Sequence, residues 1–106
     1  MTQFIWVAFD LGVRGDFEGI YAFLDAHGAK ECGDSVAAFQ YEYKTDLVRE
    51  LTKDLNKSVS FDKRSRVYLI YADNGKHKGR FIVGKRKAPP WAGYGAANLD
   101  EEDVGG

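Results

Sequence analysis

The stretch Phe4 to Leu11, FIWVAFDL, limits most sharply what this chain can fold into. An eight-residue run rich in Ile, Val, Phe and Trp reads as a central strand covered on both faces. Strand alternation puts Phe4, Trp6 and Ala8 on one side and Ile5, Val7 and Phe9 on the other. Only one set can lie beneath helices. The other, with Tyr68 and Ile70 or their neighbours, leaves a sheet face too apolar for a monomer. The expected solution is a homodimer that buries it. The run closes on one carboxylate, Asp10, which either caps the following turn or carries chemistry.

The remaining elements are set by spacing. Asp16 is placed to cap a helix whose buried face is Phe17, Ile20, Tyr21 and Leu24, and Gly28 ends it. Lys30 to Gly33 fits a short strand, with a turn or bulge at Gly33-Asp34. In Ser35 to Tyr43, Ala37, Phe39, Tyr41 and Tyr43 form the core-facing set. Thr45 is the expected cap of a second helix through Lys57, with the stripe Leu47, Val48, Leu51 and Leu55, and Val59 packing beyond its end. Arg66 to Ala72 is a strong strand. Asp73-Asn74-Gly75 carries a hairpin signal, with Lys76 to Lys78 lengthening the loop and Arg80 to Lys85 returning as an edge strand. Pro89 and Pro90 end the sheet.

Strand, helix, two strands, helix, two strands is the order of an α+β sandwich. It predicts a mainly antiparallel sheet with two helices on one face, in the βαββαβ ferredoxin-like order plus an edge strand. Residues 1–91 make a single ferredoxin-like domain, and residues 92–106 an acidic tail without fixed structure. The chain of 106 residues, 44% apolar, suits one core. It has no apolar run long enough to span a membrane and no leader-like opening, and its lone Cys32 excludes an internal disulfide, so a cytoplasmic protein is expected.

Charge is segregated along the chain. Residues 1–62 hold six basic and eleven acidic groups, residues 63–87 nine basic groups against Asp73 alone, and residues 88–106 only Asp100, Glu101, Glu102 and Asp103. Lys76, His77, Lys78, Arg80, Lys85, Arg86 and Lys87 gather around one hairpin, with Trp91 and Tyr94 just beyond. Cations beside aromatics suit phosphate contact with base stacking, so Lys76, Lys78, Arg80, Lys85, Arg86, Lys87 and Trp91 are the candidate nucleic-acid contacts. The competing explanation is that edge-strand Lys and Arg block sheet-to-sheet aggregation. Trp91 is expected to pack the tail back on the sheet.

The opening strand ending in Phe9-Asp10-Leu11, the helix closed by Gly28, the Ser35-Val36 strand, the second amphipathic helix and the Arg66-led strand together resemble a family. It is the ferredoxin-fold CRISPR-associated adaptation endonucleases, with which the virulence-associated D toxins, which are ribonucleases, share the opening pattern. The resemblance covers roughly residues 3–85. Where that family opens its first helix with a basic cluster, this chain has Arg14 followed by Asp16 and Glu18, and Ala37 replaces the aromatic that often follows Ser-Val. The resemblance implies that Asp10 is the catalytic and metal-binding position. Two copies would face each other across a dimer and hold a Mg²⁺ ion for phosphodiester cleavage. Without nuclease activity no cofactor is expected. The reading from another class is a non-catalytic protein-interaction module whose basic hairpin and acidic tail dock a protein.

Other motifs do not hold. Lys78 to Val83 misses the aromatic positions of an RNA-recognition strand. Cys32 and His27 lack an orienting third group, and the Cys and His content is too small for zinc.

Overall fold

The computed structural model describes residues 1–95; the acidic residues expected to make the tail, Asp100 to Asp103, lie outside the described residues. Five strands and two helices follow in the order β1 (Thr2–Asp10), α1 (Phe17–Ala26), β2 (Lys30–Gly33), β3 (Val36–Glu42), α2 (Leu47–Ser58), β4 (Arg66–Asp73) and β5 (Lys76–Val83). The strands form one sheet in the order β2-β3-β1-β4-β5, every neighbouring pair antiparallel. The apolar opening strand therefore sits at the centre, hydrogen-bonded on both edges, where a strand with two apolar sides belongs.

The core lies on one face. Ile5, Val7 and Phe9 of β1, Phe39 and Tyr41 of β3, and Val67 and Leu69 of β4 are buried with Ile20, Phe23 and Leu24 of α1 and Leu47, Leu51 and Leu55 of α2. The expected core faces of β1 and β3 are the observed ones, and Val59 is buried beyond α2. Tyr41 also donates its hydroxyl to Asp54 of α2, which ties sheet to helix.

Asp16 caps α1 as expected. One carboxylate oxygen accepts from the Gly19 amide at 2.9 Å. The other accepts from the Ser60 amide at 2.8 Å, which fastens the start of α1 to the chain leaving α2. The helices approach so closely that a Cβ on Gly19 would stand 2.7 Å from the Ser58 carbonyl oxygen. The buried stripe of α1 departs from the expected set: Phe23 is buried, whereas Tyr21 is 52% exposed and Phe17 is only partly buried. Tyr21 lies at the rim against the rings of Phe9 and Phe17, which leaves its hydroxyl in reach of water. Asp46 rather than Thr45 caps α2, accepting from the Arg49 amide at 3.2 Å. Glu50 folds back to accept from the amides of Lys44, Thr45 and Asp46 at 2.8, 2.9 and 2.8 Å, a variant of the capping box.

The hairpin is tighter than its charge pattern suggests. Asn74 and Gly75, both at positive φ (52° and 76°), make a two-residue turn whose twist matches the flanking strands. Strand pairing therefore resumes at Lys76, and β5 ends at Val83 instead of running on to Lys85.

The second sheet face carries no helix. Phe4, Trp6 and Ala8 of β1, Ala38 of β3, Tyr68 and Ile70 of β4, and His77 and Phe81 of β5 share it by register. Phe4 is 41% and Ile70 37% exposed. No helix of the described residues is long and apolar enough to cross a membrane.

Candidate nucleic-acid interface

The basic residues that the sequence places around one hairpin do not form one patch. In register, Lys76, Lys78 and Arg80 lie opposite Asp73, Tyr71 and Leu69, on the helix-covered side. His77 faces the other way, opposite Ala72. Lys78 donates to Asp73 at 2.8 Å, an ion pair that holds the lysine protonated above its usual range. Arg80 lines a hollow with Arg49, Asp46 and Asp73, where the charges balance. Along the strand, these groups lie from about 16 Å (Arg80) to about 30 Å (Lys76) from Lys85.

Lys85, Arg86 and Lys87 instead meet a second set of cations at the opposite end of the sheet. Antiparallel pairing of Val67 with Val83 brings the end of β5 to the start of β4. There a cleft of about 600 Å³ is lined by Lys63, Arg64, Ser65, Arg66, Gly84, Lys85, Arg86 and Lys87. Six of these eight residues are cationic and none is acidic. A neighbouring hollow adds Arg14 and shares Lys63 and Arg64, with Asp62 on its wall.

Local structure builds this end from small parts. Asp62 accepts from the amides of Arg64 and Ser65 at 2.8 and 3.1 Å, and the buried Ser65 hydroxyl accepts from the Asp62 amide at 3.0 Å. These bonds hold the carboxyl of Asp62 below its usual range and fix a tight turn that presents Lys63 and Arg64. Gly84 sits at φ 70°, and a Cβ there would collide with the Ser65 carbonyl oxygen. Only glycine lets the chain leaving β5 press this closely on the start of β4.

Asp10 stands at the edge of the cleft. It lies opposite Arg66 in register, and its carboxylate accepts from the Arg66 guanidinium at 2.8 Å. That bond, with the charges of Arg66 and Lys87 and the nearby Gly12 amide, holds its carboxyl below the ordinary range against the opposing effect of desolvation. Among the described residues no cluster of three His, Cys, Asp or Glu side chains could hold a metal ion. With one carboxylate and two facing cations, the surroundings of Asp10 do not fit a divalent metal within one chain.

Trp91 does not pack on the sheet. It stands 72% exposed in a turn closed by the Ala92 amide donating to Pro89. Cys32 is exposed on β2 and His27 packs among Phe23, Phe39 and Tyr41, so neither completes a catalytic pair. Sequence reasoning missed Lys63, Arg64 and Arg66 as members of the site. The signal that could have found them is the strand pairing implied by the hairpin, which returns the chain from Lys85 to Arg66.

No protein-family model, curated protein or solved structure matches this chain at a significant level.

Proposed function

We propose that the protein binds nucleic acid through its phosphate backbone, using the cleft between Lys63–Arg66 and Lys85–Lys87. The observation that carries this reading is the charge of the lining: six cations and no carboxylate converge on one hollow. A polyanion releases its condensed counterions on entering such a site, which drives binding without sequence preference. The frame we assign to it is ferredoxin-like. The antiparallel order β2-β3-β1-β4, with α1 and α2 as the two crossovers on one face, supports that assignment. In it β5 is an added edge strand that brings Lys85, Arg86 and Lys87 to the site.

Binding, rather than cleavage, is the activity favoured, because Asp10 is engaged by Arg66 and, among the described residues, belongs to no cluster of three side chains that could hold a metal. Nuclease activity through Asp10 would need a further carboxylate, such as the one a second copy brings. The direct test is fluorescence anisotropy with generic RNA and DNA oligonucleotides at about 50 and about 200 mM salt. The expected result is binding at low salt that weakens at least about tenfold over that range. Absence of binding at low salt would refute the proposal.

A further inference from the structure

The helix-free sheet face adjoins this cleft, and its larger side chains are mostly aromatic, with Ile70 among them. Phe4 and Trp6 meet edge to face with ring centroids 4.9 Å apart, Trp6 meets His77 at 5.9 Å, and Tyr68 meets Phe81 at 4.9 Å. The Tyr68 ring lies down across β5: a Cβ on Gly79 would stand 2.6 Å from its Cε2, so the glycine is what lets the ring rest there. The face runs without interruption into the basic site. Arg86, a cleft residue, places its guanidinium 5.5 Å from the Phe81 ring centroid. Arg66, another, ends the row that holds Tyr68 and Ile70.

We infer that this face is a stacking platform for the unpaired bases of single-stranded nucleic acid, with the backbone led into the cleft by Arg66 and Arg86. The inference rests on the proposed function and adds its substrate class. A duplex hides its base faces and can offer the platform nothing, whereas a single strand offers base faces to the exposed Phe4 ring and the half-buried Trp6, Tyr68 and Phe81 rings while its phosphates meet the adjacent cations. A second copy of the chain would bury an apolar face equally well. A face built on four aromatic rings and a histidine, bordered on one side by a cationic cleft in which Arg66 is paired with Asp10, is complementary to bases and phosphates. It is not complementary to its own like-charged border.

The test uses the only other tryptophan to advantage. In Trp91→Phe, emission comes from Trp6 alone. Titration with an oligo(dT) of about 12 nucleotides and with a duplex of equal length at about 50 mM salt should quench Trp6 with the single strand only. The single strand should also bind at least about fivefold more tightly. Phe4→Ala, at a 41% exposed position, should weaken single-strand binding about fivefold or more and leave duplex binding unchanged. Should it unfold the protein, the Trp6 signal still decides. Equal affinity for both forms with Trp6 unquenched would overturn the platform while leaving the cleft intact. So would a dimer by sedimentation in which Trp6 stays shielded while oligonucleotide binds. Loss of all binding would instead overturn the cleft itself.

Discussion

Two glycines at positive φ separate backbone conformation from packing at the residue scale. Gly28 (φ 63°) ends α1 with nothing within 4 Å of where a Cβ would stand, whereas a Cβ on Gly84 (φ 70°) would strike the Ser65 carbonyl. Gly28→Ala should therefore cost about 1–2 kcal/mol, the left-handed penalty alone. Gly84→Ala should cost about 2–4 kcal/mol in urea unfolding, because overpacking against backbone is added. It should also loosen the cleft, since the same close approach holds Lys85–Lys87 against Lys63–Arg66. Asp10 tests charge at the same scale. Its pair with Arg66 is partly exposed on both sides, so Asp10→Asn should change stability by less than about 1 kcal/mol. Removing a negative charge beside Arg66 and Lys87 should tighten oligonucleotide binding about two- to fivefold. Weaker binding in Asp10→Asn would show that the carboxylate serves the ligand directly.

The start of α2 is where pH can test a single element. Three backbone amides hold the Glu50 carboxyl at about 2, down from an ordinary 4.5. A depressed carboxyl contributes stability that is fully present above its unfolded value and is lost as pH falls toward its folded one. Wild type should thus exceed Glu50→Gln in urea midpoint at about pH 6, and the two should converge between pH 4.5 and about 2. A constant difference across that window would show that Glu50 acts by packing rather than by charge. The elements themselves were legible where periodicity was strong: β1, β3, β4 and the stripe of α2 are set by alternation and by i, i+3, i+4 spacing. Exchange of Tyr21 for Phe23 in the core was not, because a ten-residue helix with apolar groups at both positions leaves its rotation to the sheet beneath it. Lys76 to Lys78 read as loop because charge masks a strand. The positive φ of Asn74 and Gly75, not the polarity of the three residues after them, decides where pairing resumes.

At the scale of the whole molecule, the binding surface is a product of topology. Lys63, Arg64 and Arg66 lie some twenty residues before Lys85, Arg86 and Lys87, and only the β4–β5 register joins them. The sequence shows the excess of cations in residues 63–87 plainly, but not that the strand in between splits it into two ends with opposite character. One end is partly offset by Asp46 and Asp73; the other is open, its lining holding six cations and no acid. The most direct test of the cleft is the slope of log Kd against log salt for a single-stranded oligonucleotide. It should be measured on wild type, on the double reversal Lys85→Glu with Lys87→Glu, and on Lys76→Glu at the hairpin end. The cleft reversal should flatten the slope by about 0.7 for each phosphate that is no longer neutralised and weaken binding steeply, while Lys76→Glu stays near wild type. Equal effects at both ends, or a slope unchanged by the cleft reversal, would contradict a phosphate-binding role for the cleft.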